Sequence, residues 1–100
     1  MNTISHREAM LGYLSSPSKA AGFLNAAAED GEVPYLIHAV RLVVDAQGGV
    51  GALAKKTGMS RTSLYKTLSE NGNPEVRTLE AILAVYGIRL GFFTNAKTAK

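Results

Sequence analysis

Residues 50–68, VGALAKKTGMSRTSLYKTL, constrain the fold more than any other stretch of this chain. They read as two short helices hinged at Thr57-Gly58-Met59, the spacing of a helix-turn-helix whose second helix can lie in a DNA groove. Each position has its own physical reason. Ala54 is small where two helices must cross closely, and Leu53 supplies apolar contact beside it. Gly58 falls just past the first helix, where the chain needs a left-handed residue without a Cβ penalty. Met59 points inward, and Ser60 is placed to cap the next helix by accepting from the Ser63 N–H. Leu64 and Leu68, four apart, return an apolar stripe to the core. Arg61, Thr62, Tyr65 and Lys66 remain outward, a set suited to phosphates and base edges. Thr67 is polar where many such helices keep an apolar residue.

A chain of 100 residues suits one small domain, which buries only about 60 to 70% of its unfolded surface. The 46% hydrophobic content is ample for that. There is no cysteine, so a disulfide framework and a thiolate metal site are both excluded. The N-terminus has no apolar segment behind a basic start, and no apolar run approaches the roughly 18 to 20 residues of a membrane span. The expectation is a soluble, cytoplasmic protein without membrane contact.

Charge is distributed unevenly. Residues 1–50 carry Arg7, Lys19 and Arg41 against Glu8, Glu29, Asp30, Glu32 and Asp45, a net of −2; residues 51–100 carry eight cations against Glu70, Glu75 and Glu80, a net of +5. Residues 55–66 hold Lys55, Lys56, Arg61 and Lys66 with no acid, so the positive field coincides with the hinge pattern. A solvated surface alone could carry such charges; their position on the hinge favours a nucleic-acid role.

The rest of the chain reads as helical, giving an all-α bundle of five to six helices closed by a short strand. A first helix covers Arg7 to Leu14. Ser16 caps a second, with Pro17 in its first turn, running to Glu29 through Ala20, Ala21, Phe23, Leu24 and Ala27, and Asp30-Gly31 ends it. A third starts between Glu32 and Pro34 and reaches Gln47, with Leu36, Ile37, Val40, Val43 and Val44 at helical spacing and Gly48-Gly49 as the stop. Its β-branched content means that burial, not propensity, must hold it. Asn71-Gly72-Asn73-Pro74 forces a loop, and a last helix from Arg77 or Thr78 to Tyr86 aligns Leu79, Ile82, Leu83 and Tyr86 before Gly87. Ile88 to Phe93 alternates, with Ile88, Leu90 and Phe92 on one side, which predicts a strand. A solitary strand leaves backbone groups unpaired, so either it pairs with a second copy across a two-fold axis or it packs as an extended segment on its own domain. Residues 94–100 read as a flexible tail.

With these elements placed, the chain resembles the HigA-like antitoxins, the addiction-module antidote family, within the larger group of phage-repressor-type (Xre) proteins. The resemblance is carried by Gly48-Gly49-Val50, Leu53-Ala54, Lys56-Thr57-Gly58, Ser60-Arg61, Ser63-Leu64-Tyr65-Lys66, Leu68-Ser69, Gly72-Asn73-Pro74, Thr78-Leu79 and Gly87. Upstream, Tyr13-Leu14, the Ala-rich stretch before Glu29-Asp30-Gly31, and Ala39-Val40 also fit. Pro34 departs from it, related sequences placing proline nearer the start of that helix. The resemblance implies a protein that neutralises a co-encoded RelE-like, mRNA-cleaving toxin and represses its own operon. It assigns DNA contacts to Ser60, Arg61, Thr62, Ser63, Tyr65 and Lys66. Lys55 and Lys56, with the N-terminus of the second hinge helix, would then hold phosphates, while Arg61 and Lys66 read bases. A homodimer would present two such helices about 34 Å apart to a pseudo-palindromic operator. Residues 1–31 become an N-terminal helical extension for toxin binding, 32–93 the DNA-binding domain.

Other classes are weaker. His6 and His38 are the only histidines, and His38 lies on an apolar helix, the setting of a hydrogen-bonded structural histidine. No GxSxG, HExxH or GxxxxGK motif occurs, so neither catalysis, a cofactor nor a metal is expected. A protein-binding helical module using the acidic N-terminal half stays open, as does a free-standing repressor without a toxin.

Overall fold

The computed structural model of the protein describes residues 5–94 and builds six helices: α1 (His6–Leu14), α2 (Pro17–Glu29), α3 (Val33–Ala46), α4 (Gly49–Thr57), α5 (Arg61–Thr67) and α6 (Val76–Val85). Local chemistry sets most of their ends. Ser5 and Glu8 form a reciprocal cap at α1: the Ser5 hydroxyl accepts from the Glu8 N–H at 3.0 Å, and the Glu8 carboxylate accepts from the Ser5 N–H at 3.1 Å. This cap starts α1 one residue earlier than its apolar pattern suggests. Ser16 caps α2 ahead of Pro17. Pro34 sits in the first turn of α3, where its missing N–H has no intrahelical partner to lose.

The core runs through all six helices. Leu14 of α1, Ala20, Leu24 and Ala27 of α2, and Val40, Val43 and Val44 of α3 belong to the same buried cluster as Leu53, Leu64, Ile82 and Leu83. α3 is the joint, packing on α1 and α2 at one side and α4 at the other. Side-chain bonds reinforce it. Gln47 donates from Nε2 to the Leu14 and Ser15 carbonyls at 3.1 and 3.0 Å, satisfying groups at the end of α1 that have no helical partner. No described helix is by itself long and apolar enough to cross a membrane. α3 and α4, apolar together, meet at 91° and supply the core.

The expected C-terminal strand is not present among the described residues. Residues 88–94 carry no regular structure, and only Ile88 packs against the core. Leu90, Phe92 and Phe93 are exposed, Phe92 almost completely at 99%. An alternating sequence licenses a strand only when a neighbouring backbone accepts its hydrogen bonds, and no other strand lies among the described residues to do so. The tail expected over 94–100 falls, from residue 95 on, outside the described residues.

Candidate nucleic-acid interface

α4 and α5 are joined by residues 58–60, and every part of that turn has an identifiable bond. Gly58 adopts φ +77°, which an L side chain would strain. Thr57 locks the approach: its hydroxyl donates to the Leu53 carbonyl at 2.9 Å and accepts from the Met59 N–H at 3.2 Å. Met59 packs against the core, and the Ser60 hydroxyl accepts from the Ser63 N–H at 3.0 Å. The sequence reasoning anticipated Gly58, Met59 and Ser60. It missed Thr57, although a threonine one residue before a helix-ending glycine is a readable signal for such a bond.

α5 is seven residues long and its backbone approaches that of α4 alone. Leu64 is its one fully buried residue, at 0% exposure, and Leu68 follows it inward. With those two turned down, Ser60, Arg61, Thr62, Ser63, Tyr65 and Lys66 all face solvent. Lys55 and Lys56, in the last turn of α4, are exposed as well. Cations there also suit the negative end of the α4 dipole, so their placement has a structural reason beside any phosphate role. The eight residues singled out from the sequence therefore occupy one accessible, acid-free stretch.

The loop after α5 is set by one contact. A Cβ on Gly72 would collide with the Thr67 carbonyl, so no larger residue fits while the Gly72 N–H donates to the Ser69 carbonyl at 2.8 Å. Gly72-Asn73-Pro74 thereby turns the chain from α5 towards α6.

Two side chains lean on neighbours that sequence reasoning did not name. The Arg61 guanidinium lies over Gly51 of α4, where an added Cβ would come within 3.0 Å of its Nη2. The Arg41 guanidinium of α3 lies 5.1 Å from the Tyr65 ring centroid, and its Nε donates to Asp45 Oδ1 at 3.0 Å. Arg7 of α1 bonds the other oxygen of the same carboxylate at 3.0 Å. Tyr65, expected outward on the second hinge helix, is half-exposed and rests on Arg41.

His38 departs from expectation. Expected as a hydrogen-bonded structural histidine, it is exposed on α3 and lines an open concavity with Asp30, Glu32, Tyr35 and Glu70. The stretch from Val33 to His38 is only partly covered by its neighbours, so apolar composition overstated its burial. Tyr86 is buried at the end of α6 with no partner for its hydroxyl. Burial, and then the Asp45 charge, push its phenol up to about 12.

The described residues thus form a small all-helical bundle that presents a short cationic helix on a tight turn, with an acidic concavity, formed largely by the N-terminal half, bordering the helix's C-terminal end at Leu68 and Glu70. A family model described as probable addiction module antidote protein matches residues 5–94, and the chain belongs to that family. Membership makes it an antitoxin of a toxin-antitoxin system and implies a cognate toxin partner. No curated protein and no solved structure matches it.

Proposed function

We propose that this antitoxin is of the HigA-like, Xre-type kind: a cytoplasmic, non-catalytic homodimer that binds its own operator through α5, represses transcription, and neutralises a RelE-like toxin. The observation that carries the reading is the exposure of Arg61, Thr62, Tyr65 and Lys66 on a helix anchored by buried Leu64, with Lys55 and Lys56 alongside and no acid between residues 55 and 66. Lys55 and Lys56 hold phosphates and set register, Arg61 and Lys66 read base edges, and Ser60, Thr62, Ser63 and Tyr65 complete the contact. Residues 1–31, the acidic helical side, face the basic toxin, and residues 32–93 carry DNA binding. Leu90, Phe92 and Phe93 are apolar surface available to a second copy.

The test is binding to a labelled duplex from immediately upstream of the gene, beside a random duplex of equal length, across a salt series. Arg61→Ala is expected to weaken the upstream duplex by about 1 to 3 kcal/mol and to narrow its advantage over random DNA. Lys56→Ala weakens both evenly and flattens the salt slope by about one. Equal loss on both duplexes for Arg61→Ala would remove its reading role. Co-expression with a small basic reading frame adjacent to the gene tests the toxin: relief of growth arrest supports the antidote role, and its failure with intact operator binding leaves a free-standing repressor.

A further inference from the structure

Tyr65 projects from a helix of seven residues, yet its ring is fixed from outside that helix. The Arg41 guanidinium lies against the ring face at 5.1 Å while its Nε edge is bound to Asp45 at 3.0 Å. Only a planar, forked cation satisfies both demands at once, since the edge donates while the face stacks. Arg7, largely exposed on α1, bonds the second oxygen of the same carboxylate, an exposed pair that adds little to the Arg41–Asp45 bond itself. α3 therefore reaches the ring of α5 through one side chain, Arg41, fastened to Asp45 on its own helix.

We propose that Arg41 is a positioning residue of the DNA interface: fastened to Asp45, it holds the Tyr65 ring at a set place on the outward side of α5. The proposal rests on the DNA-binding reading above. A half-exposed tyrosine left to itself samples several rotamers and must be ordered when the duplex arrives, which weakens binding. Arg41 does that ordering in advance. Its Nε is bonded to Asp45 and its face to the ring, so its role runs through the ring, which the salt series below separates from phosphate contact.

The experiment is a double-mutant cycle on the full chain, with Arg41→Ala, Tyr65→Ala and the double variant measured against the upstream duplex over a salt series. Arg41→Ala is expected to lose about three- to tenfold in affinity, the effect of ordering one mobile side chain, with an unchanged salt slope. In the Tyr65→Ala background the same change loses less than about twofold, because the ring it positions is gone. Arg41→Lys keeps the charge without the planar face and is expected not to rescue. Arg41→Met keeps the packed stem and repeats the cycle should the alanine variant melt early. Arg7→Ala, which leaves the Arg41–Asp45 bond in place, should stay within about twofold of wild type. Equal losses in both backgrounds, with a salt slope lower by about one and rescue by lysine, would make Arg41 a phosphate contact and overturn the proposal. A wild-type chain that does not prefer the upstream duplex would instead bring down the DNA-binding reading, and the proposal with it.

Discussion

α3 and α5 are both helices over the same core, and they are held in opposite ways. α3 has fourteen residues, five of them buried, and contacts three other helices. α5 has seven, buries Leu64 alone, and stands on α4. A seven-residue helix has no stability of its own in water, so it exists here because Ser60 caps its start, Gly58 and Thr57 set its entry, and Leu64 pins it down. That economy has a functional side. Apart from Leu64, almost the whole surface of α5 is left for a ligand, whereas most of α3 is committed to packing.

The most severe way to break this comparison is Leu64→Ala. It removes the one buried anchor of α5 and should cost about 2 to 5 kcal/mol in chemical denaturation. A loss under about 1 kcal/mol would mean that α5 is held by something other than its leucine.

Alkaline titration probes the joint between the halves, where Tyr86 lies within the influence of Asp45. Its pKa rises from 10.0 to about 12 on folding. Below pH 10 both states keep the proton and nothing changes; from there to about 12 the unfolded chain releases it first, so stability falls as pH rises. The wild type should lose about 2 to 3 kcal/mol more across that window than Tyr86→Phe does. The phenylalanine also removes an orphaned hydroxyl, so it should be no less stable than wild type at pH 7.

Gly72→Ala comes next. The Thr67 carbonyl must move to admit the methyl group, and the expected cost is about 1 to 3 kcal/mol, read as a lowered midpoint of thermal unfolding. The smallest effect sharpens the contrast from the other side. Lys55→Ala and Lys66→Ala alter exposed cations and should each change stability by no more than about 0.5 kcal/mol. Duplex binding should fall while the melting curve stays in place.

The elements that could be read in advance are those governed by near neighbours in the chain. Ser16-Pro17, Ser60 with Ser63, and Gly58 act over three residues or fewer, so their helices ended close to where the pattern put them. The strand at 88–93 fails for the same reason inverted: Ile-Arg-Leu-Gly-Phe-Phe alternates, but alternation describes side chains, and a strand is made by a backbone partner elsewhere. His38 was misplaced because an apolar helix near its N-terminal end can still show one side to water.

The chain's own order of residues was enough to determine six helices, the serine caps of α2 and α5, the buried leucines of the hinge pair, and the run of exposed cations from Lys55 to Lys66, because propensity, capping and periodicity are short-range. Tertiary structure alone decided that Arg41 lies on Tyr65, that Arg7 and Arg41 share Asp45, and that the Tyr86 hydroxyl is buried without a partner. Those pairs are 24, 38 and 4 residues apart, and the two long ones meet only through the packing of the whole core, which sets α3 against α1 and brings its Arg41 side chain to α5.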